Sequence, residues 1–261
     1  MKKSISTLLL AACAAFAAVL SAPAFANEEG VKLDRVEDRS ANNLALQNGA
    51  RLFVNYCLNC HGAQSMRYNK LKDIGLTDEQ IKANLLFTAD KVGETMTVAL
   101  SKQNGKEWFG AAPPDLSVIA RSKSSEAGSG ADWLYTYLRT FYRDDERPTG
   151  WNNLVFPNVG MPHVLYELQG EQKPRFVNEK DPHDATKTIK KFEGFEPGKA
   201  GQLSKQDYDV AVADLVAYLV WMGEPEAAHR KQLGLLVLIF LIMFLLPCAW
   251  WLKHAYWKNI H

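Results

Sequence analysis

The five-residue stretch CLNCH, from Cys57 to His61, constrains this chain more than any other feature. Two cysteines separated by two residues and followed directly by histidine are the attachment signature of a c-type haem. In that chemistry each thiol forms a thioether with one haem vinyl group, and the histidine becomes the proximal ligand of the iron. The spacing therefore predicts one covalent haem c, held by Cys57 and Cys60 and ligated by His61.

Half of a zinc site is the alternative that the same two cysteines allow. A structural zinc ion would need further Cys or His ligands at metal spacing. The chain has 4 cysteines, but Cys13 lies in an N-terminal leader and Cys248 in a long apolar run. Neither is placed to complete a zinc site, so the haem interpretation is favoured.

The N-terminus has the pattern of a secretory signal peptide. Two lysines precede an apolar run from Ile5 to Leu20, and the sequence AFA ending at Ala26 supplies the small residues of a cleavage site. Residues 1–26 are therefore predicted to be a signal peptide. A lipoprotein signal is the alternative, because LAAC ending at Cys13 resembles a lipobox, in which Cys13 would be acylated. Both interpretations export the chain across a bacterial inner membrane.

Residues 27–226 are predicted to form a mainly helical periplasmic haem domain. Apolar residues near helical spacing indicate helices over Asn42–Cys57, Asp78–Phe87, Leu116–Arg121, Asp132–Tyr142 and Ser204 to about Met222. Thr77 and Asp132 are expected to be N-caps, and Ser204 opens a capping box. Gly49 and Phe53 share one face of the first helix, and in c-type cytochromes such a pair lets the first helix cross the last one closely. An ordinary amphipathic helix with an incidental glycine is the alternative, and the adjacent haem motif favours the close crossing.

The segments between these helices are predicted to lack helical structure, because they are highly charged or rich in Gly, Pro, Asn and Ser. They are an extended arm (Asn27–Arg39), three loops (Ser101–Gly110, Lys123–Gly130 and Trp151–Pro162) and a charged surface excursion (Glu171–Gly201). A β-ribbon is one form that the excursion could take.

A membrane anchor is predicted at the C-terminal end, within residues 227–261. Leu233 to Leu252 is uncharged, and a helix of this length spans about 30 Å, the thickness of one bilayer core. Trp250, Trp251, Tyr256 and Trp257 form an aromatic belt at its far end. Basic residues flank both ends, so they do not set the orientation. The orientation follows from export of the haem domain, which leaves a short C-terminal tail in the cytoplasm.

The second axial ligand of the iron is predicted to be Met161, which lies in a Pro-braced loop before the last haem-domain helix, as in class I c-type cytochromes. A haem iron held by His and Met is an electron-transfer centre. The other candidates are Met66, Met96, Met222 and Met243. Met66 is too near the haem motif to reach the opposite face, Met222 ends a helix and Met243 lies in the apolar run, whereas Met96 lies in a segment to which the sequence assigns no structure. His163 in the same loop is the competing candidate. Because Pro162 would turn the chain between the two residues, His163 is interpreted as a residue that does not ligate the iron.

Four stretches resemble the cytochrome c1 family in its proteobacterial form. They are CLNCH, APPDLS followed by Arg121, NVGMPHVL around Met161, and VWMGEPEAAHRKQLGLLVLIFL. The resemblance covers nearly the whole mature chain. It implies a mainly α, class I cytochrome c-like haem domain, a small irregular or β excursion and one C-terminal transmembrane helix.

The resemblance also implies roles for individual residues. Cys57 and Cys60 would bind haem c covalently, and His61 and Met161 would ligate its iron. It further implies that Arg121 neutralises a haem propionate and that Pro113 and Pro114 wall the haem. The segments Lys123–Gly130 and Glu171–Gly201 vary among family members, and the acidic docking surface of mitochondrial forms is not evident here.

The function implied by the resemblance is that of the haem c subunit of the cytochrome bc1 complex, ubiquinol–cytochrome c reductase. Such a subunit takes one electron from the Rieske iron–sulfur protein and passes it to a cytochrome c. The implied partners are cytochrome b, these two proteins and the lipid bilayer. A free-standing, membrane-tethered cytochrome c and a haem subunit of a terminal oxidase are alternatives. The formal net charge of +1 argues against nucleic-acid binding.

Overall fold

The computed structural model describes residues 31–98, 100–180 and 188–256. The predicted signal peptide and the lipobox alternative therefore lie outside the described residues. Eight α-helices occur in the described part: α1 (Asn43–Leu52), α2 (Asp78–Asn84), α3 (Lys102–Phe109), α4 (Ile119–Ser122), α5 (Gly130–Arg139), α6 (Tyr166–Gln169), α7 (Lys205–Gly223) and α8 (Ala227–Ala255). The predicted mainly α fold with a small β component is confirmed.

Helix α1 crosses helix α7 at very close range, as the Gly49–Phe53 pair predicts. A Cβ atom added to Gly49 would lie 2.6 Å from the Cβ of Tyr218 and would also overlap the backbone carbonyl of Asp214. The ring centroids of Phe53 and Tyr218 are 5.5 Å apart. Only glycine permits this approach. The first helix of the predicted haem domain, α1, is therefore in direct contact with its last helix, α7.

A buried ion pair reinforces the same crossing. Asp214 on α7 is 6% exposed. Its carboxylate accepts hydrogen bonds from Arg39 (2.5 Å) and from the side-chain amide of Asn48 on α1 (2.7 Å). Because a buried carboxylate is costly unless it is paired and hydrogen-bonded, these contacts also fix the arm that carries Arg39.

That arm, residues 31–39, is extended along helix α5, as predicted for its described part. The Asp34 amide donates to Thr136 Oγ1 (2.8 Å) and the Val36 amide donates to Asp132 Oδ1 (2.9 Å). Asp132 is therefore occupied by the arm, and the predicted N-cap role of Asp132 is wrong. Ser129 caps α5 instead, by accepting from the Asp132 amide (3.1 Å).

The Ser101–Gly110 segment is helical, so the predicted loop is wrong. Ser101 Oγ caps α3 by accepting from the Asn104 amide (3.1 Å), and Gly110 ends the helix with a left-handed φ of 79°. Gly105, which suggests a loop in the sequence, packs against Pro113, with 2.6 Å between an added Cβ and the proline ring. The glycine serves close packing rather than chain reversal.

Three two-stranded antiparallel sheets complete the haem domain: β1 (Ala63–Arg67) with β2 (Thr95–Met96), β3 (Phe141–Arg143) with β4 (Trp151–Asn153), and β5 (Gly170–Lys180) with β6 (Thr188–Ala200). The last pair is the predicted β-ribbon, in which Phe176 pairs with Phe192. Strand β4 occupies the first three residues of the predicted Trp151–Pro162 loop, and α5 ends at Arg139, three residues before the predicted Tyr142.

The remaining predicted helices agree with the structure apart from their ends. Thr77 and Gln80 form a capping box at α2, which ends at Asn84 and not at Phe87. The first predicted helix consists of α1 followed by a π-helical segment, Phe53–Cys57. The turn predicted over Leu116–Arg121 is α4, and Ser204 caps α7 as expected.

Helix α8 contains the predicted membrane span. Among the described residues, the segment His229–Ala255 is long and apolar enough to cross a bilayer, with a mean hydropathy of 2.7. None of the most apolar part of this helix is buried against the protein. A surface this apolar and this exposed fits a lipid environment rather than water.

Candidate haem site

An apolar cavity of about 300 Å³ lies between the CLNCH motif, helix α5, helix α7 and the loop around Met161. Backbone from Ala111 to Pro114 closes one side. The other lining residues include Tyr56, Phe109, Leu116, Ile119, Leu134, Leu138, Phe156, Val159, Val164, Leu215 and Leu219. A largely apolar cavity with a few convergent polar groups is the usual form of a cofactor site.

His61 presents one ring nitrogen to this cavity because its other ring nitrogen is engaged. Nδ1 lies 2.8 Å from the carbonyl oxygen of Pro114. A carbonyl can only accept, so Nδ1 carries the hydrogen and Nε2 is left as the nitrogen that can bind a metal. Burial lowers the pKa of His61, against opposing contributions from the Pro114 carbonyl and Asp115. The imidazole is thus neutral, as a ligand must be.

Three further hydrogen bonds hold the backbone on either side of this contact. The Leu116 amide donates to the Gly62 carbonyl (2.8 Å), and the Ser65 amide donates to Ser117 Oγ (3.0 Å). Between them, the Gln64 amide donates to Asp115 Oδ2 (2.8 Å). The Pro-Pro-Asp-Leu-Ser segment is therefore tied to the strand that follows His61.

Cys57 and Cys60 both line the cavity beside His61. Cys57 ends the π-helical segment, and its carbonyl accepts from the amides of Cys60 (3.1 Å) and His61 (2.9 Å). This tight turn points both thiols and the imidazole to one side. Burial, with a smaller contribution from Cys60, raises the pKa of Cys57 to about 12, so this thiol is uncharged.

The zinc alternative would need ligands beyond the two cysteines of CLNCH. No group of three or more His, Cys, Asp or Glu side chains that could hold a metal ion occurs among the described residues. Cys248 lies in helix α8, which places it in a different part of the structure from the CLNCH motif.

Met161 lies at the cavity together with its neighbours Gly160 and Pro162. The hydroxyl of Tyr137 on α5 donates a hydrogen bond to the Met161 sulfur (3.3 Å). The other methionines of the haem domain do not line the cavity: Met66, Met96 and Met222 are buried in the core. Met161 is the methionine that the fold brings to the site, and its ligation of iron stays a prediction.

His163 faces away from the cavity. Its ring is 2% exposed, stacks on Phe141 at 5.0 Å and meets the edge of Trp151 at 5.0 Å. Burial lowers its pKa to about 4, against an opposing contribution from nearby Gln169. Within the described part of the chain, its Nε2 atom has no partner at hydrogen-bond geometry. Met161 and His163 are separated only by Pro162, yet their side chains lie on opposite sides of the loop.

The three residues assigned only by resemblance have different surroundings. Pro113 and Pro114 line the cavity. Arg121 does not line it: the side chain is exposed and its Cγ lies near Gly223, at the end of α7. Its contact with a haem propionate stays a prediction.

Tyr137 is a site residue that lies within the predicted helix Asp132–Tyr142 and that no sequence motif singles out. Its ring stacks on Trp133 at 4.8 Å and meets Phe141 edge-on at 5.0 Å. Burial raises the pKa of its hydroxyl, which therefore remains a hydrogen-bond donor. Aromatic spacing in the sequence shows a buried face but does not show which atom the hydroxyl reaches.

These donors fit a covalent haem c. The cavity offers two uncharged thiols on one turn, an imidazole with a free Nε2, a thioether from a separate loop and mostly apolar walls. Thiols, imidazole and thioether are the groups that attach and ligate haem in cytochromes c. The fold and the site together define a c-type cytochrome with a C-terminal apolar helix.

Comparison with known proteins gives the family. The model of the cytochrome c1 family matches residues 38–188 and 200–260. The chain is 44% identical to cytochrome c1 of Allochromatium vinosum over 83% of this chain and 85% of the relative. It is 29% identical to cytochrome c1 of Rhodospirillum rubrum over 90% and 91% of the two chains. This chain belongs to the cytochrome c1 family, whose members carry covalent haem c.

A further relative carries a different name. The chain is 46% identical to a Nitrosomonas europaea protein called ammonia monooxygenase gamma subunit, over 94% of this chain and 96% of the relative. The family model leaves residues 189–199 unmatched, and these residues lie in strand β6 of the ribbon. Variation of the excursion among family members stays a prediction.

Proposed function

We propose that this chain is the haem c subunit of a cytochrome bc1 complex and passes one electron at a time from a Rieske iron–sulfur protein to a cytochrome c. The single observation that carries the proposal is the pairing of His61 and Met161 as candidate ligands at one apolar cavity. A haem bound by His and Met supplies a one-electron centre of raised potential. The chain itself performs no bond chemistry on a substrate.

The protein's own residues have separable roles in this proposal. Cys57 and Cys60 tether the cofactor, so it is retained through many oxidation and reduction cycles. The Pro114 carbonyl fixes the tautomer of His61. Tyr137 holds the Met161 side chain, and the apolar walls exclude water, which would otherwise stabilise the oxidised, more charged state.

Helix α8 gives the proposal its membrane geometry. It would cross the bacterial inner membrane once, with the haem domain in the periplasm and the C-terminus in the cytoplasm. The boundary at residue 226, just before α8 begins, is consistent with this arrangement, and the boundary at residue 26 rests on the predicted signal peptide. A relative from Bradyrhizobium diazoefficiens, 26% identical over 83% of this chain and 33% of the relative, is named cytochrome b/c1. That name supports cytochrome b as the partner beside which the anchor lies.

Purification of the native complex tests the proposal. We expect the full-length chain, tagged at its C-terminus and extracted in mild detergent, to bring with it a cytochrome b and an iron–sulfur protein. Quinol added to that preparation should reduce the haem c, and an inhibitor of quinol oxidation should block the reduction. Isolation of the chain without these two proteins would contradict the proposal.

A second candidate is a membrane-tethered haem c carrier that serves another complex. The name of the Nitrosomonas europaea relative is the observation that favours it. The same purification separates the two functions, because the second predicts monooxygenase or oxidase subunits in place of cytochrome b and the iron–sulfur protein.

A further inference from the structure

Two adjacent asparagines, Asn152 and Asn153, are buried at the end of strand β4, where the chain turns towards Met161. They are 7% and 0% exposed. A buried side-chain amide is costly unless its donors and acceptors are satisfied. Both side chains are satisfied, and their partners lie on the loop that leads to Met161 and on the structure beside it.

Asn153 ties the start of this loop to helix α5. Its Oδ1 accepts from the amides of Val155 (2.9 Å) and Phe156 (3.1 Å). Its Nδ2 donates to the carbonyl oxygen of Tyr137 (2.7 Å). Tyr137 is the residue whose hydroxyl donates to the Met161 sulfur. Asn153 therefore fixes the loop relative to the same residue that contacts Met161.

Asn152 fixes the middle of the loop. Its Oδ1 accepts from the Asn158 amide (2.8 Å), and its Nδ2 donates to Asp144 Oδ2 (2.8 Å). Asn158 has a left-handed φ of 62°, a conformation that needs support from its surroundings. Arg147 supplies a second contact by donating to the Asn158 carbonyl (3.0 Å). From Asn158, three residues lead to Met161.

We infer that Asn152 and Asn153 are positioning residues for the sixth ligand of the iron: they hold the Leu154–Gly160 loop and Tyr137 in register, so that Met161 stays at the cavity. The inference rests on the proposed function, because it takes Met161 as the ligand. Neither asparagine lines the cavity, so both act through the loop. Loss of their hydrogen bonds would weaken the positioning of Met161 without changing any side chain that lines the cavity.

The sharpest test replaces each amide by a carboxylate of nearly the same shape. Asn153→Asp removes the donor to the Tyr137 carbonyl and sets two oxygens against each other. Asn152→Asp sets a carboxylate against Asp144. The matched control is Asn84→Asp, because Asn84 makes the same kind of bond, to the Gln80 carbonyl (2.9 Å), but is exposed on α2.

The readout is displacement of the methionine by imidazole in the full-length haem-loaded protein, followed by the methionine–iron charge-transfer band. Loss of a buried hydrogen bond with its partner left unpaired corresponds to about a tenfold change in an equilibrium. We therefore expect half-displacement at about tenfold lower imidazole concentration in Asn152→Asp and Asn153→Asp. The Asn84→Asp protein should match the wild type.

Far-UV circular dichroism at the displacement midpoint separates positioning from unfolding. In the two variants the band should be lost while the helical signal is complete. Asn153→Ser, which keeps a hydroxyl at the site, is the milder variant if Asn153→Asp does not accumulate, and it should shift displacement in the same direction. Wild-type imidazole sensitivity, or loss of the band only together with helicity, would overturn the inference.

Met161→Leu distinguishes failure of this inference from failure of the proposed ligand. If Met161→Leu removes the band while the asparagine variants behave as wild type, the positioning role is wrong and the ligand assignment survives. If Met161→Leu retains the band, the ligand assignment is wrong and the inference falls with it.

Discussion

Gly49 of α1 rests directly on Tyr218 of α7, with 2.6 Å between the Tyr218 Cβ and the position that a Gly49 Cβ would occupy. The same added atom would overlap the Asp214 carbonyl, which belongs to the backbone and cannot rotate away. The π-helical segment that follows α1 ends at Cys57, and α7 supplies Leu215 and Leu219 to the cavity. The contact therefore helps to position the haem motif relative to α7.

Gly49→Ala should therefore destabilise the haem domain. Overpacking a core costs about 1–3 kcal/mol, and a backbone contact puts this case at the upper end. Alanine has a higher helix propensity than glycine, which offsets at most about 1 kcal/mol of this cost. We therefore expect the free energy of unfolding, measured with urea, to fall by about 2 kcal/mol. Gly93→Ala is the control, because an added Cβ there meets nothing within 4 Å. Equal stability of the two variants would contradict the close crossing.

The cofactor should be attached covalently by Cys57 and Cys60. A thioether survives denaturation, so a denaturing gel stained for haem peroxidase activity should show the wild-type chain. The double variant Cys57→Ala, Cys60→Ala should give no stained band, whereas Cys248→Ala should stain normally because Cys248 lies in α8. Extraction of the wild-type haem into acid acetone would contradict covalent attachment.

Met161→Leu should remove the methionine–iron charge-transfer band and lower the reduction potential substantially, because the thioether favours reduced iron. Visible spectroscopy and a redox titration measure the two effects. The control is Met96→Leu, since Met96 is fully buried in the core and does not line the cavity. A missing band in the Met96 variant, with a normal band in the Met161 variant, would reassign the ligand.

Arg121 is predicted to compensate a haem propionate, and its replacement should lower the reduction potential. Arg121→Gln removes a positive charge, which makes the oxidised, more positive haem easier to form. The exposed Arg51, which donates to Asn48 (2.8 Å), gives the control Arg51→Gln. An Arg121→Gln protein with wild-type potential and wild-type stability would place Arg121 among ordinary surface residues.

A chain that ends after Glu226 should fold, bind haem and be soluble. The most apolar part of α8 buries nothing against the haem domain, so its removal leaves the core contacts intact. We expect an exported, haem-loaded protein with a His–Met spectrum that is absent from the purified membrane complex. Spectroscopy of the periplasmic fraction and purification of the complex measure these outcomes.

The truncated protein also tests the electron relay directly. It should accept electrons from a reduced Rieske fragment and pass them to a cytochrome c in solution. A native spectrum without reduction by the Rieske fragment would contradict the relay and favour the membrane-tethered carrier.

Features whose chemistry is local could be predicted from the order of the amino acids alone. CLNCH specifies thiols and imidazole on one turn, Leu233–Leu252 specifies an apolar helix, and Thr77 and Ser204 specify helix starts through their own side chains. Gly49 is an intermediate case. Its place beside the haem motif predicts a close helix crossing, but the atoms that it meets, the Tyr218 Cβ and the Asp214 carbonyl, are brought to it only by the fold.

Features that depend on contacts outside the local helix or turn became visible only in the folded chain. The bond from Tyr137 to Met161 spans 24 residues, and Asp132 is taken by an arm 96 residues away, which leaves the cap to Ser129. Similarly, Gly105 is compatible with α3 because Pro113 packs against it. Local propensity cannot encode such contacts, since the favourable partner exists only after the chain has folded.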